Sequence, residues 1–198
     1  MLRVAITGGL ACGKSVVGSF LAGNGVPVCD SDDLAHMAIA KGTFAYREIL
    51  REFGKDILGP DGEIVRSRLG KIVFEDPGRR ALLNAIVHPR VKRSWETWLR
   101  RQRGYPFGIV VIPLLYETGQ ESAWDRVVCV GSLEVDQRAR LRARGLKNRE
   151  IDLRLAAQMP VWEKMERADH VIYNCGSLEL LRCQTLRLVN ELLESKHA

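Results

Sequence analysis

Residues Gly8 to Ser15 read Gly-Gly-Leu-Ala-Cys-Gly-Lys-Ser, which fits the pattern Gly, four free positions, Gly, Lys, then Ser or Thr. What flanks this stretch makes it the strongest constraint on the fold. Leu2–Thr7 is a short apolar run with β-branched residues and predicts a buried strand, while Val17, Phe20 and Leu21 recur at helical spacing. Strand, glycine loop and helix in that order is the setting in which the motif binds phosphate; the competing reading is an ordinary glycine-rich turn. Gly8, Gly9 and Gly13 let the backbone curl so that N–H groups from Ala11, Cys12, Lys14, Ser15 and Val16 can converge on an anion. The following helix adds its N-terminal donors and the positive end of its dipole. Lys14 is then expected to reach the outer phosphates of a nucleotide, and the Ser15 hydroxyl to be a ligand of a bridging Mg2+ ion. Ala11 and Cys12 make this loop bulkier than one built from Gly and Ser.

A chain of 198 residues can build one compact core with insertions. Its 46% hydrophobic and 27% charged residues are those of a soluble globular protein. A net charge of +6 suits anionic partners (nucleotide, phosphorylated metabolite or nucleic acid) but does not choose among them, and a solvated basic surface fits equally well. The five cysteines are scattered, odd in number and without a Cys-x-x-Cys pair. That argues against a disulfide framework or structural zinc and for a reduced, cytoplasmic compartment. Cys29, Cys129 and Cys175 read as small core residues; Cys12, near Lys14, could carry an activated thiol sensitive to oxidation or alkylation. The N-terminal apolar run is too short for a signal peptide, and no stretch approaches a membrane span.

Val26–Cys29 predicts a second strand, ending in Asp30-Ser31-Asp32-Asp33 before a helix. In open α/β sheets ligands sit at the carboxyl ends of strands. A carboxylate there can take a proton from an attacking hydroxyl or hold magnesium. We assign Asp32 the proton-accepting role, Asp30 a share of the metal shell, and Asp33 the helix cap. From Lys41 to Tyr105 no β run appears; the apolar spacing predicts four helices, with a break at His88-Pro89 between the third and fourth. This is a helical insertion suited to covering a second substrate. By residue type alone His88 reads first as a structural hydrogen-bonding residue. Gly108–Pro113 is an almost wholly apolar third strand with Leu114-Leu115-Tyr116-Glu117 at its end and no aspartate for a magnesium shell. Arg126–Val130 is a fourth strand. A basic helix then carries Arg140 and Arg144 on one face, ends at Gly145, and is followed by a helix bearing Arg154 and Gln158. Two arginine-bearing helices around a glycine bend describe a lid over a nucleotide's phosphates; an RNA-binding helix pair, or simple solubility, is the other reading. Ala168–Gly176 is a fifth strand with its exit turn, where Asn174 and Gly176 could contact an adenine ring, and an amphipathic helix closes the chain.

Taken together, these segments resemble the dephospho-coenzyme A kinase family almost end to end. The resemblance rests on Thr7-Gly8-Gly9 with Gly13-Lys14-Ser15, Asp30-Ser31-Asp32, Phe53-Gly54, Asp61-Gly62 with Arg66, and His88-Pro89. It continues through Pro113-Leu114-Leu115-Tyr116-Glu117, Gln137 with Arg140 and Arg144, Arg154 and Gln158, Lys164, and Ala168–Gly176. It implies a three-layer α/β P-loop kinase fold with a five-stranded parallel sheet. It also implies one kinase domain made of a core (1–33, 106–136 and 159–198), a helical substrate-binding insertion (34–105) and a lid (137–158). The implied activity is transfer of the ATP γ-phosphate to the ribose 3′-hydroxyl of dephospho-coenzyme A, with Mg2+, completing coenzyme A. The implied site has Asp32, Lys14 and Arg140 as catalytic groups. The nucleotide is held by the loop with Arg144, Asn174 and Gly176, the acceptor by Asp32, His88 and Leu115, and the metal by Ser15 and Asp30. The chain departs from the family at Val111, where an aspartate is common, and at Val16 and Val65, where polar residues are usual. The alternatives are a nucleoside-monophosphate-type P-loop kinase or a nucleotide-dependent nucleic-acid-binding regulator. A GTPase is disfavoured by the absence of an Asn-Lys-x-Asp segment. No nucleic-acid or membrane partner is expected, and the oligomeric state stays open.

Overall fold

A computed structural model describes residues 1–102 and 104–194. Two compact units emerge, one of Met1–Cys29 with the chain from Gln102 onward, the other of Asp30–Arg101.

The first unit is built on five short strands, β1 (Leu2–Gly8), β2 (Val28–Asp30), β3 (Phe107–Val111), β4 (Arg126–Gly131) and β5 (His170–Tyr173), in the sheet order β2-β3-β1-β4-β5. The pairings are parallel, with Val4 opposite Ile109 on one side and Arg126 on the other. β1 and β3 are buried along nearly their whole length, which is why they read as continuous apolar runs rather than alternating ones. Val4, Ile6, Val128, Val130 and Ile172 pack against Val17 and Leu21 of α1 (Lys14–Gly23) and Leu181, Leu188 and Leu192 of α9 (Leu178–Glu194). Each such side chain contributes about 1.5–3 kcal/mol of burial.

Between β4 and β5 come α6 (Glu134–Ala143), α7 (Asn148–Ala156) and α8 (Val161–Glu166), with Gly145 at φ +87° turning the chain between the first two. α8 lies against β1 and β4. Its six residues are too few to show a period, and the sequence pattern does not anticipate it.

The second unit is helical: α2 (Ser31–Ala38), α3 (Phe44–Phe53), α4 (Arg66–Glu75) and α5 (Pro77–Arg101). Ala45, Ile49, Ile57, Leu69 and Ile86 form its core, and Thr43 caps α3 by accepting from the Tyr46 N–H at 3.1 Å. The expected break at His88-Pro89 does not occur, because α5 runs straight through Pro89. Proline removes one helical hydrogen bond, to the carbonyl four residues back, but Ala85 is exposed, so water can serve that carbonyl. The Arg90 guanidinium donates to the Ile86 carbonyl and pairs with Glu48 at 2.7 Å, stitching the helix across the weak point.

Candidate active site

The glycine loop leaves β1 at Gly8, whose φ is +147°. A Cβ there would sit 2.2 Å from the Val130 carbonyl oxygen, so the strand can turn into the loop beside β4 only without a side chain. Gly8→Ala should therefore destabilise the fold by about 3 kcal/mol, read as a lowered midpoint in urea unfolding. Gly13, at φ +103°, leaves room for the Asn174 amide, whose nitrogen would be 2.4 Å from an added Cβ. Between them Ala11 takes a left-handed conformation at φ +58°, alone among the described non-glycine residues. This costs about 1–2 kcal/mol and is the kind of strain found at ligand clamps. α1 then begins at Lys14 with no side chain capping it, leaving its amino end to an anion.

Contacts converge on this loop from the far side of the sheet. The Arg140 guanidinium on α6 donates to the Ala11 carbonyl at 3.1 Å, to Ser132 Oγ at 3.0 Å and to the Asn174 carbonyl at 3.1 Å. Asn174 Nδ2 donates to the Cys12 carbonyl at 2.8 Å. Lys14 Nζ arches back to the carbonyls of Gly8 and Gly9, at 3.0 and 2.8 Å. The structure thus gathers Lys14, Arg140 and Asn174 around the loop residues. Arg144 lies one turn beyond Arg140, exposed, with no side-chain partner among the described residues. Asn174 has its amide nitrogen turned inward as a brace for the loop. Gly176 lies in the exposed turn after β5.

Two further expectations are corrected. Cys12 is fully buried, and this desolvation pushes its thiol up despite the nearby Lys14, Arg140 and Lys164 charges, so it is not an activated nucleophile. Iodoacetamide should label the exposed Cys175 and Cys183 well before Cys12, as peptide mass mapping would show. Leu115, expected against the acceptor, has 0% exposure, whereas Leu114 is 41% exposed. In the turn after β3 the first leucine faces solvent and the second faces the core.

In the second unit, Asp30 rather than Asp33 caps α2, accepting the Asp32 N–H at 2.8 Å. The strand ends at Asp30, so its carboxylate is the one placed to reach back over the first turn. Asp32 and Asp33 are exposed in that turn, where the helix dipole favours their charge. His88 sits within α5, and burial lowers its imidazole below the ordinary value. It is therefore neutral near pH 7, unlike a cationic phosphate ligand. Val111, at the end of β3, is part of the apolar core. No group of three or more His, Cys, Asp or Glu is gathered to hold a metal among the described residues.

Sequence reasoning did not find the role of Lys164 in α8. Its ammonium is buried, 2.7 Å from Glu117 Oε1 and 2.9 Å from the Pro113 carbonyl. Nearby, the Tyr116 ring lies under the Arg167 guanidinium at 4.4 Å, and burial pushes its phenol up to about 12. Nothing in the local sequence marks Lys164 as buried, since a lysine among Glu163, Glu166 and Arg167 reads as surface.

A glycine loop opening a helix at the carboxyl end of a central parallel strand, with basic side chains around it, defines a P-loop nucleotide-binding protein. The particular family follows from comparison with known proteins. The family profile described as dephospho-CoA kinase matches residues 2–179. A dephospho-CoA kinase of Anaeromyxobacter dehalogenans is 45% identical over 195 residues, covering 97% of this chain and 92% of that protein. The crystal structure of TT1252 from Thermus thermophilus superposes with a TM-score of 0.85 at 37% identity, covering 96% of each chain. A dephospho-CoA kinase structure from Campylobacter jejuni, at 23% identity and a TM-score of 0.72, shares the fold over 98% of each chain. The chain belongs to the dephospho-CoA kinase family, and its activity is that of a dephospho-CoA kinase in coenzyme A biosynthesis. As a kinase of this family it uses ATP.

Proposed function

We propose that the chain moves the γ-phosphate of ATP to the ribose 3′-hydroxyl of dephospho-coenzyme A. The match over residues 2–179 carries this reading. The loop amides and the amino end of α1 hold the nucleotide's phosphates. Lys14 exchanges its two carbonyl partners for phosphate oxygens. Arg140 keeps the loop in shape from α6, and Arg144, exposed at the carboxyl end of that helix, is the lid cation available to a nucleotide. Asp32 takes the proton from the 3′-hydroxyl as the oxygen attacks phosphorus in line, and ADP leaves. On the acceptor side Leu114 replaces Leu115, and His88 contributes a neutral ring.

In this reading a magnesium ion keeps most of its water and phosphate ligands, with Ser15 and Asp30 as its protein contacts. Ser15 is exposed at the first turn of α1, and Asp30 has one carboxylate oxygen outside its capping bond. When bound, that ion would neutralise charge on the β- and γ-phosphates. We take the catalytic unit to be a single kinase domain with residues 137–158 as lid and 34–105 as acceptor insertion. No helix among the described residues is long and apolar enough to cross a membrane. A cytoplasmic setting fits five scattered cysteines, odd in number and without a Cys-x-x-Cys pair.

The test is ADP release in the presence of ATP and magnesium, comparing dephospho-coenzyme A with a panel of nucleoside monophosphates. Turnover confined to dephospho-coenzyme A is expected. Equal or better turnover of a nucleoside monophosphate would reassign the acceptor.

A further inference from the structure

Lys164 is the only fully buried charged side chain among the described residues. An ammonium withdrawn from water is costly unless it is paired and fully hydrogen-bonded, and an apolar side chain of similar volume usually serves packing as well or better. Packing alone therefore does not account for it, whereas the identity of its partners does. Nζ donates to the Pro113 carbonyl and to Glu117 Oε1, at 2.9 and 2.7 Å, and so holds both ends of the turn that follows β3. The Pro113 carbonyl also accepts from Thr7 Oγ1 at 3.3 Å, one residue before the glycine loop begins. The same Glu117 oxygen accepts the Met159 N–H at 3.0 Å, where the chain returns from α7. One buried ammonium thus ties together the turn after β3, the root of the phosphate loop and the point where the α6–α7 hairpin rejoins the core. β3 lies between β1 and β2 in the sheet, and ligands of such sheets sit at the carboxyl ends of their strands. The exposed Leu114 is carried on this turn.

We propose that Lys164 is a positioning residue for the acceptor. Through Glu117 and Pro113 it fixes the height of the Leu114 turn and couples that turn to the base of the lid. It touches neither substrate. The inference rests on the dephospho-coenzyme A kinase reading and adds to it a named support for the acceptor side.

The experiment is steady-state kinetics on Glu117→Gln, Lys164→Met and the double variant, with each substrate varied in turn. Glu117→Gln keeps the shape and an accepting oxygen but removes the charge. The expected result is a rise of about tenfold or more in KM for dephospho-coenzyme A, with KM for ATP and the ATP-induced thermal shift unchanged. The double variant should be no worse than the worse single one, because both break the same pair. Unchanged acceptor KM in a folded Glu117→Gln would overturn the proposal. So would equal losses for both substrates that track a fall in melting temperature, since those would mark a purely structural pair. If Lys164→Met does not fold, Glu117→Gln decides alone. Wild-type turnover of dephospho-coenzyme A tests the activity itself, so a failure there is distinguishable from a failure of the variants to split the two KM values.

Discussion

Asp32→Asn should lower turnover by about two to four orders of magnitude while leaving ATP affinity nearly intact. The substitution keeps the size of the side chain and removes its ability to accept a proton and become neutral as the 3′-hydroxyl attacks. Asp32 is exposed and Asp30 still caps α2 in the variant; the lost interaction with the helix dipole alone amounts to about 0.3–1 kcal/mol, and the melting temperature reads any further structural cost. A fall in kcat with an unchanged melting temperature would therefore report on chemistry. Wild-type turnover in the Asn variant would remove Asp32 from the role of base.

Lys14→Ala should weaken ATP binding and catalysis together, with kcat/KM down by about two orders of magnitude or more. Removing one preorganised electrostatic donor commonly costs a factor of about 10²–10³. The variant also frees the Gly8 and Gly9 carbonyls, so the loop loses two internal contacts before any ligand arrives. The cleanest readout is thermal stabilisation by nucleotide. At a ligand concentration of 100 Kd, binding adds about 2.7 kcal/mol to the native state. The variant should show almost none of this at concentrations that saturate the wild type. An undiminished shift with normal turnover would contradict the phosphate role of Lys14.

How much of this could be read from the chain varied with how local the controlling physics is. The strand–loop–helix of residues 2–23 was legible because its glycines, its lysine and its flanking apolar runs each answer to nearby backbone geometry. β1, β3 and β4 were legible as apolar runs because they are buried nearly throughout, although the order of the strands in the sheet is a tertiary property. α5 was misread at Pro89 because the packing of the second unit and the Arg90 contacts outweigh one missing hydrogen bond. A turn has no period from which to tell inside from outside, so only the fold shows Leu114 exposed and Leu115, the one implied by the resemblance, buried. Asp33 was given the cap because several capping residues lie side by side, and only the end of β2 decides between them. Arg140 and Arg144 were placed on one helical face by their spacing, but only the fold shows Arg140 clasping the loop. Lys164 figured in the family resemblance, but nothing marked it as buried, since a buried charge is defined by partners 47 and 51 residues away.

Two of the basic side chains at the loop have oxygen partners within the protein: Lys14 holds two carbonyls of its own loop, and Arg140 a third. On the proposed reading, a nucleotide arriving at Lys14 does not meet a bare charge; it displaces placeholders, and the gain there is the difference between an anionic phosphate oxygen and a backbone carbonyl. The same exchange runs backwards when ADP departs, because the ammonium has a partner to return to rather than being stranded. Affinity given up in this way shortens the lifetime of the spent nucleotide on the protein, which favours an enzyme that must empty its site before every new cycle.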